Sequence, residues 1–281
     1  MKAIRNITCL NVVAILLVSI LLFSSCAENL SGPGDQEVAP ELPPQTTMRM
    51  NFDFLNSTKH AKTGEEIGKT RAHWNWAVLN VGVWNTILGV TLAGPVIAFG
   101  ESFNHDPERQ EDGSWLWTYN FQVLGVQHTA KLYGRLESNQ VQWDMFVSRQ
   151  GAFTDRRWFF GQSDLLVTEG TWTLNDPNRA TETSFLFIEW QRDLQSDDAS
   201  IKYTNVLDGN AGKGSYIEYG RLENAEFDLF YDIFNAENGN ETDIEWDRNP
   251  GAVAGRVADE NRFGDASWRC WDASGEDIDC P

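Results

Sequence analysis

The stretch Ala72–Gly100 limits the fold more than any other part of the chain, because it holds no charged residue and its apolar residues fall on every face of a helix. Trp76, Val78, Leu79, Val81, Val83, Trp84, Ile87, Leu88, Val90 and Leu92 leave no polar stripe for water, and a helix of that kind is buried on all sides or lies in a membrane. Asn75, Asn80 and Asn85, two internal glycines and Pro95 speak against a spanning segment. Pro95 also stops or kinks a helix. The expectation is a core helix near 74–93 with a short second helix from Pro95; a transmembrane helix is the alternative.

From Ser114 onward the hydrophobic period changes to two. Trp115, Trp117, Tyr119, Phe121 and Val123 point one way while Leu116, Thr118, Asn120 and Gln122 point the other, and Val141, Trp143, Met145 and Val147 repeat the scheme. Further strands are expected at Thr129–Leu136, Arg157–Gln162, Thr171–Leu174, Ser184–Gln191, Ile201–Leu207, Tyr216–Leu222, Phe227–Phe234 and Asp243–Asp247, which together describe a meander. Met48–Phe54 also alternates and reads as a strand with one wet face. Tyr133–Glu137 recurs as Tyr219–Glu223, a repeated strand-turn-strand solution or a duplicated binding unit. A mainly β fold follows: a large curved antiparallel sheet or partial barrel packed around the apolar helix hides one face of every strand and covers the helix. That layout resembles the periplasmic lipoprotein carriers and related lipid-binding lipoproteins, a likeness of layout that carries no motif.

The N-terminus supplies an address. Lys2 and Arg5 precede Val12–Phe23, a run with only Ser19 polar, and small residues then lead into Cys26. Such a run is too short to span a bilayer comfortably and reads as a cleaved signal peptide, residues 1–25. Phe23-Ser24-Ser25-Cys26 resembles the bacterial lipobox, and the resemblance implies diacylglycerol on the Cys26 thiol and a further acyl chain on its new amino group. An ordinary signal peptide with a chance cysteine is the alternative. Ala27–Thr47, rich in Pro, Gly and acid, reads as a tether, so residues 26–47 form a lipidated linker and 48–281 a single β-rich domain. The expected localisation is the cell envelope, on the periplasmic or cell-surface face of the outer membrane, with the membrane as partner through the anchor.

Charge and cysteines bear on the same compartment. Losing Lys2 and Arg5 from the 22 basic residues leaves 20 against 41 acidic ones, a formal charge of −21, which excludes nucleic acid and bare anionic lipid as partners. Cys9 leaves with the signal peptide and Cys26 becomes a thioether. Cys270 and Cys280 then remain, and two thiols in an oxidising space imply one disulfide, placed in a closing hairpin where they face each other about Gly275.

The search for chemistry finds no nucleophile elbow, zinc-helix motif, phosphate loop or EF-hand, so no cofactor or metal is expected. Arg192–Asp198 and Asn235–Asp243 are acidic enough for a surface calcium or are simply solvated, and His105–Asp112 is a polar loop. Glu241-Thr242-Asp243-Ile244-Glu245 resembles the Glu-x-Asp-x-Glu strand of the laminarinase and lichenase family of β-glucan hydrolases. By that resemblance Glu241 is the nucleophile, Asp243 its helper and Glu245 the acid/base; a solvated strand face is the alternative. The twelve tryptophans sit mostly at alternate strand positions, where three quarters are expected in the core rather than stacking on sugars. Three readings stand in order: a non-enzymatic envelope lipoprotein holding an apolar ligand or protein partner, a carbohydrate-binding or glycan-degrading surface lipoprotein, and a purely structural lipoprotein. An apolar cavity between helix and sheet marks the first, and exposed coplanar tryptophans beside carboxylates mark the second. For the anchor, Cys26→Ser is expected either to remove the protein from washed membranes or to leave it unprocessed, as fractionation of expressing cells reads directly.

Overall fold

The computed structural model describes residues 38–50 and 70–281. The signal segment, Cys26, the tether to residue 37, the residues 51–54 of the expected first strand and His60 lie outside the described residues.

Fourteen strands form one antiparallel sheet in sequence order: β1 (Glu108–Arg109), β2 (Trp115–Val123), β3 (Val126–Glu137), β4 (Gln140–Arg149), β5 (Phe153–Asp164), β6 (Glu169–Asn175), β7 (Ser184–Arg192), β8 (Ala199–Asn205), β9 (Tyr216–Arg221), β10 (Leu229–Asn235), β11 (Asn240–Trp246), β12 (Gly255–Ala258), β13 (Arg269–Trp271) and β14 (Asp277–Ile278). The alternation read from the sequence holds along them: Trp117, Tyr119, Phe121, Trp143, Met145, Trp172, Ile188, Tyr203, Ile217, Tyr231 and Ile244 are buried, and their neighbours face outward. The echoed pentapeptides end β3 and β9; the first leads through a two-residue turn to β4, the second into the longer connection before β10.

The apolar stretch forms one helix, α1 (Ala72–Ser102), which runs through Pro95. No second helix starts there. Proline costs an interior helix about 3 kcal/mol, and the packing beyond it offsets that cost. Pro95, Ala98 and Phe99 are buried, Phe99 meets the rings of Phe159 and Trp172 edge-on, and Tyr119 Oη donates to the Ala98 carbonyl at 2.5 Å. Gly94 lets the helix approach the sheet closely, since a Cβ there would stand 2.7 Å from the Trp158 ring.

The C-terminal third of α1 lies along β2 near one edge of the sheet, while its first turns meet β12, β13 and β14 at the other. The sheet therefore curls until both ends reach the same helix, but β1 and β14 do not pair and the sheet stays open. Two carboxylates fix the N-terminal end. The N-cap residue Arg71 offers no side-chain cap; Asp277 of β14 accepts from the Ala72 and His73 amides at 3.0 Å each and from Thr70 Oγ1. Asp259, buried, caps the short helix α2 (Glu260–Phe263) through the Arg262 amide and also accepts from Trp76 Nε1 at 2.9 Å, Thr242 Oγ1 at 2.7 Å and Asn240 Nδ2 at 3.2 Å. A buried carboxylate is tolerable because four donors replace its hydration.

Two readings are corrected at the N-terminal side. The tether ends earlier than Thr47, because Ala39–Pro281 forms one compact unit with its own core. Pro40 packs beside Gly134, Trp172 Nε1 donates to Thr47 Oγ1 at 3.2 Å, and Thr47, Met48 and Met50 are buried. Met48 ends a 3-10 turn (Gln45–Met48), so the strand expected from Met48 does not open there; Met48 and Met50 are buried on either side of an exposed, extended Arg49.

Cys270 and Cys280 are disulfide-bonded with Cα atoms 5.2 Å apart. They are not opposite residues: Cys270 pairs with Ile278, because Asp272 Oδ1 gathers the Ser274 and Glu276 amides into a turn centred one residue before Gly275. The bridge thus staples the hairpin whose Asp277 caps α1. Replacing both cysteines by serine is expected to cost about 2–3 kcal/mol, and Asp277→Ala about 1 kcal/mol, both read from urea unfolding midpoints.

Candidate functional site

Two places on the sheet gather chemistry, one on its outer face and one at its junction with α1. The first contains the glucanase-like strand. Alternation along β11 buries Thr242, Ile244 and Trp246 and sends Glu241, Asp243 and Glu245 outward together. Register extends the row across the sheet, with Asp243 opposite Asp232, Asp232 opposite Glu218, and Glu218 opposite Lys202. Asp232, Glu241 and Asp243 each bring an oxygen within 4.8 Å of the others. Burial, and then the charges of Asp232, Glu241, Glu245 and Asp259, push the Asp243 carboxyl up to about 6. Burial also raises Asp232, against which Tyr216 Oη donates at 3.2 Å.

Glu245 does not join that group. Arg256 holds it with Nε and a terminal nitrogen, both at 2.6 Å, and the same guanidinium reaches Glu226 and lies over the rings of Phe227 and Trp268. No register shift interrupts β11, so the Cα atoms of Glu241 and Glu245 stand about 13 Å apart, and the ion pair with Arg256 ties the Glu245 carboxylate into a separate cluster with Glu226. What the arrangement offers instead is three oxygens converging as a hard cation would require. Asp232 was missed in the sequence, since its pairing with Asp243 depends on register.

The other acidic and histidine-bearing candidates are engaged within the chain. Asp197 binds Arg221 and Arg248 at 3.0 Å each, Asp198 accepts the Glu223 amide, and His105 stacks on Tyr119 beside Glu101. None of the twelve tryptophans is exposed: seven are buried and Trp74, Trp76, Trp84, Trp115 and Trp268 are partly so. Beside the carboxylate row a cleft of about 390 Å³ is lined by Phe227, Phe230 and the partly buried Trp268 together with Asp232, Asp243 and Glu245.

The second place is a groove of about 560 Å³ between the middle of α1 and the ends of β7, β8, β10 and β11. Trp84 and Leu88 of α1 face Leu186 and Ile233 across it, and Leu207 closes one side. Val83 and Ile87 form its outer wall and are themselves exposed. Amides and hydroxyls dominate the rim: Asn80, Asn205, Asn210, Asn235, Asn240 and Thr91, with Glu237 the one charged lining residue. Sequence alone did not show the groove, because its walls come from one helix and four strand ends far apart in the chain.

Compared with known proteins, the chain matches no family model, no curated protein and no solved structure. The geometry is therefore what carries a functional reading.

For the carboxylate row, linkage gives a signed expectation. A folded pKa near 6 against an ordinary value of 3.8 means that Asp243 favours folding most when protonated, so its contribution falls as pH rises from about 4 to 6. Asp243→Asn is expected to raise the thermal midpoint at pH 7 by roughly 2–4 °C and to leave it unchanged near pH 4. Melting curves of the two proteins across that range check it.

Proposed function

We propose that this is a lipid-anchored protein of the cell envelope, not an enzyme, whose groove between α1 and the sheet holds the apolar chain of an amphiphile with an uncharged polar end. The observation that carries the reading is the groove itself: apolar side chains from both α1 and the sheet line it, and its volume lies in the range of small-molecule sites. An apolar chain laid along Leu88, Leu186 and Ile233 leaves water at about 0.8 kcal/mol per CH₂. The rim then selects the head. It offers amide donors and acceptors but no Lys or Arg, and a chain of net charge −19 repels anions, so a bare carboxylate would lose hydration there without gaining a partner. Asn205 is bonded within its own loop at both ends of its amide, so a hydroxyl, ester or sugar head would meet Asn235 Nδ2 and Asn240 Oδ1, the amide ends opposite those bonded to the Glu237 amide and Asp259.

One further point supports the setting: Phe23-Ser24-Ser25-Cys26 resembles a lipobox, which would carry the anchor. The glycan reading is less well supported, since Trp268, the tryptophan lining the cleft beside the carboxylates, is partly buried with the Arg256 guanidinium over its ring.

Titration with a monoacylglycerol and with the free fatty acid of equal chain length tests the reading. The neutral amphiphile is expected to bind at least about tenfold tighter, a difference of about 1.4 kcal/mol. Leu207→Asp, which puts a charge on the groove wall in a connecting loop, should abolish the tighter binding. Equal affinity for both heads, or no binding of either, would contradict it.

A further inference from the structure

The apolar residues of α1 divide into two sets on opposite sides of the helix. Ala77, Val81, Leu88, Leu92, Pro95, Ala98 and Phe99 are buried against the sheet, while Leu79, Val83, Ile87, Val90 and Ile97 are exposed, Leu79 to 57% and Val90 to 79%. At 100° per residue the exposed set forms one stripe about 27 Å long from Leu79 to Ile97. No charged residue lies on α1 before Glu101, and an apolar patch of this kind marks a contact surface.

Three polar side chains flanking the stripe bond back to their own helix. Thr86 Oγ1 donates to the Gly82 carbonyl at 3.0 Å and Thr91 Oγ1 to the Ile87 carbonyl at 2.6 Å, while Asn80 Nδ2 donates to the Trp76 carbonyl at 2.9 Å. Hydroxyls bonded back to their own helix lose little when water is removed.

A second element extends the stripe. Val123 at the end of β2 reaches within 4.0 Å of the place a Gly94 Cβ would occupy, so the β2–β3 hairpin tip abuts α1. The tip is Leu124-Gly125, and Leu124 is 99% exposed with φ 50°, followed by Gly125 with φ 77°. A turn with both central residues at positive φ favours Asn-Gly or Asp-Gly. Leucine there is unfavourable for the turn and for solvation alike, as is the exposed Val126 beside it.

From these observations we infer that the outer stripe of α1 and the Leu124 tip form a docking face for an electroneutral lipid bilayer, lying in its interface with the helix parallel to the surface. The stripe has the length and composition of a membrane-seeking helix, yet its opposite face is committed to the sheet, so it lies on the membrane rather than crossing it. Its lack of cations and the net charge of −19 select a neutral surface over an anionic one. The chain outside the described residues fits the same occupant, because from Cys26 to Ala39 the backbone spans at most about 45 Å, which holds the unit near any bilayer that takes the anchor. Val83 and Ile87 belong both to the stripe and to the groove wall, so docking would open the groove toward lipid. This inference goes beyond the ligand reading; it shares Val83 and Ile87 with the groove but is tested through Leu79, Val90 and Leu124, which lie outside it, so the two fail separately.

The test uses residues 27–281, which keep the whole compact unit and lack the acylated cysteine, in flotation with phosphatidylcholine vesicles. The protein is expected to float with the vesicles, with partitioning unchanged between low and high salt because no ionic contact is involved. Leu79→Ser with Val90→Ser should lower partitioning roughly tenfold or more. Leu124→Asn should lower it while raising the thermal midpoint by roughly 1–3 °C, the opposite of what loss of a structural contact would do. Leu207→Asp should float as the parent does. Failure of the parent to float, or flotation unaffected by the stripe and tip variants, would overturn the inference. So would a concentration-dependent dimer abolished by Leu79→Ser with Val90→Ser, which would assign the face to a second copy of the chain.

Discussion

Among the described residues, a sheet of fourteen strands in simple sequence order leaves two edges unpaired, and what joins them here is a helix rather than a strand pair. Exposed edges cost a β protein unpaired backbone and invite association. With α1 between β2 and β12–β14, the sheet curls into an enclosure whose inner face is filled by tryptophan, tyrosine and aliphatic side chains. The junction depends on a few directed contacts at its N-terminal end. Asp277 of β14 caps the helix amides and Asp259, the N-cap of α2, takes the Trp76 indole, each from more than a hundred residues away. Apolar packing supplies most of the energy, but it is non-directional, and these carboxylates set where along the last strands the helix begins.

That arrangement explains why an uncharged, all-round apolar helix occurs in a protein of strong negative charge. One face is core. The other faces are wall and surface, and between helix and sheet the fit is incomplete, which leaves the groove. Helix, groove and hairpin tip thus form one continuous apolar region, while the acidic residues are spread over the outer sheet face, where Asp232, Glu241 and Asp243 crowd one another. The separation is consistent with a protein that handles an apolar molecule at one place and relies on charge for solubility elsewhere.

Much of this was legible in the residues. Period-two alternation placed the long strands to within a few residues, the position of α1 followed from its lack of charge, and Cys270 with Cys280 pointed to a bridge. Pro95 misled, because local propensity carries no information about Phe99 docking on Phe159 and Trp172. The buried part of the linker was illegible for a similar reason: Ala39–Thr47 has a tether's composition, yet Leu42 and Thr47 find partners inside a cavity made by later strands. Which face of α1 would be covered was undecidable, since an all-round apolar pattern is identical from every side. Among the carboxylates, Glu241 and Asp243 were visible as a pair, but Asp232 joins them only through register and Glu245 leaves them through Arg256.

Whether the space between α1 and the sheet takes an apolar chain is read most directly from electron density in that space, for protein released from envelopes without detergent and crystallised. The expected density is a continuous acyl-like feature running past Leu88, Leu186 and Ile233 with its polar end among the asparagines of the rim. A groove closed by inward movement of α1, or one holding only water bonded to those amides, would contradict it.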